Sequence, residues 1–344
     1  MNQVPRAFCE RLCDILFSDR IWAAKELSGH YGRFAWTRFL HDCDYDVDVK
    51  DGIEQRVYSY LTHTGEDLHT AEEIEAVPKK HVRNVRISLC DAKKESVAES
   101  KKIVRRFPYS FYVFGLVSSS INEAWVDLMC SLKQLHSLMI TEKLDDDALP
   151  LIGKVVADRK ISMLSIYAKA CEGGNMEVMK SVLSQDQFKQ LRIWNIFDNP
   201  DSLSTVTDLL QFWSENSEKL RGKSLLLCKF SSVKESGAEQ LEQFVLQGAS
   251  APKALEKALK VCSKEECDFL NKEYHHNHWM FFKPSCIYKY ENAREGVGRR
   301  QIYVSFECAS LEELRSDLQA PAGHTGHNDL GFLRRATRLR ILFA

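Results

Sequence analysis

The sequence predicts an α/β protein built from repeated strand–helix units, a curved parallel sheet with helices along its convex side. Two observations carry this prediction. One apolar motif recurs six times, as Val82-x-x-Val85-x-Ile87, Tyr109-x-x-Tyr112-x-Phe114, Leu135-x-x-Leu138-x-Ile140, Ile161-x-x-Leu164-x-Ile166, Phe188-x-x-Leu191-x-Ile193 and, without its first apolar position, Gly222-x-x-Leu225-x-Leu227. The middle residues, at 85, 112, 138, 164, 191 and 225, are 27, 26, 26, 27 and 34 positions apart. The second observation is that helical periodicity follows each of the first five motifs. A strand, a crossover and another strand set parallel strands side by side, with the alternate apolar residues pointing to the helices.

The elements follow in order. Residues 1–50 read as two or three helices, over 5–17, 20–27 and 32–41, rich in Trp, Phe and Leu. The run from Asp42 to Asp48 reads as a solvated acidic connector. Tyr58-x-Tyr60, 27 residues before Val85, reads as a degenerate earlier copy of the motif, with a short acidic helix over 71–77 behind it. Helical stripes then run through Val97, Ser100, Val104 and Phe107, through Ile121, Trp125, Leu128 and Leu132, and through Leu149, Ile152 and Val156. The fourth has Met176, Met179 and Val182, and the fifth Leu203, Val206, Leu210 and Trp213. Ser120-x-x-Glu123 is a candidate capping box, and Asn175, Asp201 and Ser202 are candidate N-caps. Beyond about 253 the period ends. Helices near 254–262 and 265–273 and strands near 286–290 and 302–306 form an α+β cap, since a solenoid needs its open end covered. The last residues, 320–344, show neither periodic strand nor capping logic and are expected to be a disordered tail. Its arginines Arg334, Arg335, Arg338 and Arg340, with Leu333, Leu339 and Leu342 between them, leave a basic amphipathic helix as the alternative. The expected divisions are thus 1–50, 51–252, 253–319 and 320–344.

A period near 27 falls within the roughly 20–29 residues of leucine-rich repeats. The ninth position, which in that consensus carries Asn or Cys, holds Cys90, Val117, Lys143, Lys169, Ile196 and Phe230. The copies therefore resemble divergent repeats of a solenoid of that type.

Composition narrows the functional classes. The chain has 344 residues, 44% hydrophobic and 28% charged, the balance of a chain that buries a core beneath a water-facing surface. Forty-seven basic against 48 acidic residues give a net charge of −1, so no nucleic-acid or membrane partner is expected. Eleven cysteines, an odd number without framework spacing, point to a reducing intracellular compartment, cytoplasmic or nuclear. Charges at Arg6, Glu10, Arg11 and Asp14 interrupt any signal-peptide core, and no apolar run is long enough to span a membrane.

No reaction is named either. Cys262, Cys267, His275, His276 and His278 lack the pair spacings of a structural zinc site. The aspartates of 42–48 lack the Gly and Glu of a calcium loop. Nucleophile elbows, phosphate loops and dinucleotide fingerprints are absent, Gly173-Gly174 reads as a turn, and His30, Tyr31 and Arg33 as helix-junction packing. No cofactor, metal or catalytic residue is expected.

What remains is recognition. The strand residues between the buried pairs face away from the helices, onto the concave side of such an array. Arg86, Val113, Met139, Tyr167, Arg192 and Trp194 are the candidate contacts for a protein partner, a mixture enriched at interface hot spots. At the N-terminus, Val4-Pro5-x-x-Phe8, continuing to Leu12, Cys13 and Leu16, resembles the Leu-Pro-x-x-Phe opening of an F-box, with Val4 in place of Leu. The layout resembles the nematode families of F-box-like and F-box-associated proteins. That resemblance implies that Val4, Pro5, Phe8, Leu12 and Leu16 dock a Skp-type adaptor of a cullin-type ubiquitin ligase, while the repeats hold the substrate. The alternatives are a repeat protein with no ligase link and an enzyme whose site has no recognised motif.

Overall fold

The computed structural model describes residues 4–16, 21, 24–61, 64–68, 70–194, 204–228, 236–248, 254–274, 279–292, 300–310, 313 and 319–344. The chain divides into two compact α/β units, residues 1–136 and 137–344, and not at 50, 252 and 319.

The first unit opens with α1 (Arg6–Ile15) and α2 (Gly29–His41). They belong to a small core of Cys13, Ile21, Ala24 and Ala35, with Leu16, Phe34 and Phe39 packed against it. A Cβ on residue 32 would stand 1.5 Å from the Leu27 carbonyl oxygen, so this approach of chain to helix requires Gly32.

Residues expected as an acidic connector form β1 (Cys43–Lys50) instead. Cys43, Tyr45, Val47 and Val49 are buried, and the aspartates between them face the other way, the period-two pattern of a strand. Asp51 and Gly52 both have positive φ, 53° and 76°, and turn the chain directly into β2 (Ile53–Leu61). Asp-Gly is favoured in such two-residue hairpins because both central residues must adopt that conformation. Tyr58-x-Tyr60 therefore lies in the antiparallel partner of β1 and is not an earlier repeat. After β3 (Asp67–Leu68), α3 (Ala71–Ala76) carries a complete Thr70/Glu73 capping box.

β4 (Val82–Leu89), α4 (Lys94–Arg106), β5 (Phe111–Leu116) and α5 (Glu123–Ser131) follow as the periodicity predicts. It is β1 that takes the place of the extra repeat. It runs parallel to β4 with Tyr45 beside Val85 and Val47 beside Ile87, and β4 in turn sets Val85 beside Tyr112. Trp125 is fully buried with its ring edge-on to Phe114. The cap of α5 is Asn122, whose Oδ1 accepts the Trp125 N–H at 3.0 Å, and not Ser120, which stands two residues too early.

The second unit contains β6 (Leu135–Ile140) from Ser137 onward, α6 (Ala148–Ala157), β7 (Met163–Tyr167), α7 (Gly174–Leu183), β8 (Gln190–Trp194), α8 (Thr205–Leu220) and β9 (Ser224–Cys228). The four strands are parallel, with Leu138, Leu164, Leu191 and Leu225 in successive register and all buried. The long 34-residue step between the last two holds α8, which is kinked at Asn216. Asn175 does not cap α7; it lies buried in the first turn and donates to the Ala170 carbonyl at 2.7 Å. Asp201, Ser202 and Leu203 lie outside the described residues, as do Ile196 and Phe230.

The C-terminal residues do not form a separate cap followed by a tail. After α9 (Ser236–Gly248) and α10 (Leu255–Ala258) come β10 (Lys260–Val261), α11 (Lys264–Glu273), β11 (Met280–Phe281), β12 (Tyr288–Asn292), β13 (Arg300–Phe306), β14 (Ala320–Pro321) and β15 (Arg338–Phe343). Strands β15, β13, β12 and β10 continue the sheet beyond β9, all antiparallel. The supposed disordered tail thus supplies β15, an interior strand between β9 and β13. Its Leu339, Ile341 and Phe343 share the face of Leu225 and Leu227, where Trp213 of α8 stacks on Phe343 at 6.0 Å. On the opposite face α11 and Phe281 cover Tyr303 and Leu342 in a second core with Cys262, Cys267 and Ile287. This end of the unit is covered on both faces, which separates it from an open leucine-rich-repeat array.

Candidate functional site

In the second unit the side of the sheet away from the buried leucines carries Met139 on β6, Met163, Ser165 and Tyr167 on β7, and Gln190, Arg192 and Trp194 on β8. Residues paired in parallel register share a face, so Tyr167 and Trp194 stand side by side, as do Ser165 and Arg192. Met139, Met163, Tyr167, Arg192 and Trp194 are all half-buried. The next strand ends this open stretch, because Leu226 and Cys228 are completely covered. Part of the boundary is Trp279, whose ring lies 4.9 Å from the Arg192 guanidinium and 5.8 Å from that of Arg338. The Arg192 Nε–H also donates to Gln190 Oε1 at 2.6 Å, so the guanidinium is held in place. Ion pairs from Lys169 to Glu142 and from Lys143 to Glu172 tie the connections after β6 and β7 together and make a charged rim. The sequence missed Trp279 because only tertiary structure brings it to β8.

The first unit places Arg86 and Val113 side by side across β4 and β5. Arg86 is exposed, its NH1 3.0 Å from Asp46 Oδ2, and Val113 is half-buried. Asp44, Asp46 and Asp48 share this face of β1 with Tyr58 and Tyr60 of the hairpin partner. Asn84 donates to Asp44 at 2.7 Å. The face is therefore acidic and aromatic, not the apolar–arginine mixture expected.

Burial raises the carboxyl pKa of both Asp44 and Asp46, with Asn84 and Arg86 opposing the shift. The folded state then holds these protons more tightly than the unfolded chain. Their contribution to stability is fully present below the ordinary Asp range and is lost as pH rises through the raised values. Asp44→Asn removes one such group while its amide oxygen still accepts from Asn84. The variant is expected to lose part of the decline in melting temperature between about pH 4 and neutrality. An unchanged pH profile would mean that Asp44 is not desolvated.

At the N-terminus, Phe8 is 58% exposed on α1, Pro5 is exposed, and Val4 and Leu12 are half-buried. Leu16 packs into the core formed with α2 and so turns inward. Trp36, on α2, is 47% exposed, with the Lys25 ammonium 5.2 Å from its ring centroid.

None of the eleven cysteines is in a disulfide. Burial pushes Cys171, Cys228, Cys262 and Cys308 up to about 12 and Cys267 to about 11, so these thiols stay protonated and poorly nucleophilic at neutral pH. Cys262 and Cys267 belong to the second core, and His275, His276 and His278 lie outside the described residues. Among the described residues no three His, Cys, Asp or Glu side chains are grouped to hold a metal ion, and no helix is long and apolar enough to cross a membrane. Comparisons with protein-family models, curated proteins and solved structures give no match.

Proposed function

We propose that the chain is a non-enzymatic, intracellular recognition scaffold of divergent leucine-rich-repeat type. It holds a protein partner on the exposed sheet face and docks a Skp-type adaptor of a cullin-type ubiquitin ligase through its N-terminal helices. The observation that carries the reading is the side-by-side pair Tyr167 and Trp194, half-buried beside Met139, Met163 and Arg192 and bordered by paired charges. Such a patch offers rigid aromatic area, flexible thioethers and a fixed arginine inside a polar rim, the anatomy of a protein interface. A stable complex would bury about 800 Å² on each partner. The exposed Phe8 and Trp36 supply apolar surface for the adaptor contact.

Partner capture with the intact chain tests the first half. Tyr167→Ala and Trp194→Ala are each expected to cost about 2 kcal/mol of binding without lowering the melting temperature. If either variant unfolds, the face is core and the site is misplaced. Stoichiometric co-purification with a Skp-type adaptor, lost in Phe8→Ala, tests the second half. Absence of adaptor binding by the full chain would remove the ligase role.

A further inference from the structure

A small cavity in the second unit lies between the sheet and its C-terminal cover. Its floor comprises Arg340 and Leu342 of β15 and Tyr303 and Ser305 of β13, and its cover includes Asn271 of α11 and Trp279. Two of these groups are hydrogen-bond donors buried without an acceptor among the described residues, Arg340 Nε and Trp279 Nε1. Ser305 lies directly across from Arg340 in register and adds a hydroxyl to the wall. No Asp or Glu lines the cavity. Two of the other tail arginines have neighbours: Arg334 pairs with Glu242, and Arg338 lies against Trp279 and Phe282. Arg340 alone among these three faces the cavity with no counter-charge.

A guanidinium cannot shed this problem by losing its proton. Desolvation lowers the Arg340 pKa only to about 10, so it remains cationic at neutral pH. Arg340 is half-buried with its Nε enclosed, and a partly desolvated cation gains from a counter-ion. A water molecule would satisfy the donors but not the charge. The space admits a single occupant of about water size, which excludes sulfate, phosphate and larger organic anions.

We propose that this cavity is a site for a monatomic halide, chloride-sized, held by the Arg340 guanidinium and the Trp279 indole N–H. The bound ion joins β15 to the segment that covers it, so its occupancy strengthens the packing of Trp279 over the sheet.

The test is thermal unfolding of the full chain at fixed ionic strength as chloride is replaced by gluconate, with bromide and sulfate as further arms. Chloride and bromide are expected to raise the melting temperature in a saturable way, as binding to the folded state requires; sulfate and gluconate are not. Trp279→Phe keeps the ring and deletes the N–H, and is expected to weaken the apparent halide affinity about tenfold, the effect of one charge-assisted hydrogen bond. Arg340→Gln is expected to abolish the halide response. A halide response of the same size in Trp279→Phe as in the unaltered chain would overturn the assignment. So would equal melting temperatures in chloride and gluconate, which would make the occupant water.

Discussion

A chain ending at Thr337 is expected to lose the cooperative unfolding transition of residues 137–344. The truncation removes β15, which makes five register pairs with β9 on one side and five with β13 on the other. It also removes Leu339, Ile341 and Phe343, all completely buried. Deleting a buried Leu or Ile side chain costs about 2–5 kcal/mol, and a Phe about 3–5. The sum reaches the roughly 5–15 kcal/mol by which a whole domain is stable. Two strand edges left unpaired inside a covered sheet add buried donors and acceptors without partners, and they offer templates for aggregation. Near-ultraviolet circular dichroism and amide exchange at Leu225–Leu227 would report the loss. Ile341→Ala gives a graded version, destabilised by about 2–5 kcal/mol but still folded. A truncated chain with an unchanged transition would show that β15 is dispensable to the fold.

The strand signal of β15 is short and is masked by its charges. Arg338-Leu339-Arg340-Ile341 alternates polar and apolar, which is strand logic, but the spaced arginines suggest a basic helix or a loose tail when charge is counted first. Charge masks β1 in the same way. Its aspartates looked like a solvated run, although every second residue from Cys43 to Val49 is buried, and Asp51-Gly52 is a strong local hairpin signal. The parallel strands were legible because their apolar motif repeats at nearly constant spacing and each copy needs only its neighbours to bury it. Partner strands far apart in sequence leave no such mark: nothing local says that β15 lies between β9 and β13. The candidate site divides along the same line. The pairing of Tyr167 with Trp194 follows the motif register. The approach of Trp279 to Arg192 depends on a long-range fold-back and carried no sequence signal, nor did the cavity at Arg340.

Asp42→Asn is expected to destabilise the first unit by about 3–5 kcal/mol, the cost of breaking a buried ion pair by removing one partner. Asp42, Arg38 and His81 are 3%, 7% and 6% exposed. Arg38 Nε lies 3.3 Å and His81 Nδ1 3.7 Å from Asp42 Oδ1, and the Arg38 guanidinium also donates to the Lys80 carbonyl. An opposing effect exists, since Asp42 caps the C-terminus of α2, where a negative charge is unfavourable. That term is about 0.3–1 kcal/mol, too small to offset a stranded guanidinium. Asn keeps the shape and can still accept a hydrogen bond, so any loss measured by chemical denaturation reports the charge. The double variant Arg38→Met, Asp42→Leu should be less destabilised than Asp42→Asn, because it removes both buried charges together. If Asp42→Asn instead unfolds within about 0.5 kcal/mol of the unaltered chain, the usual range for surface changes, Asp42 is solvated and the junction between α2 and β1 is not held by charge.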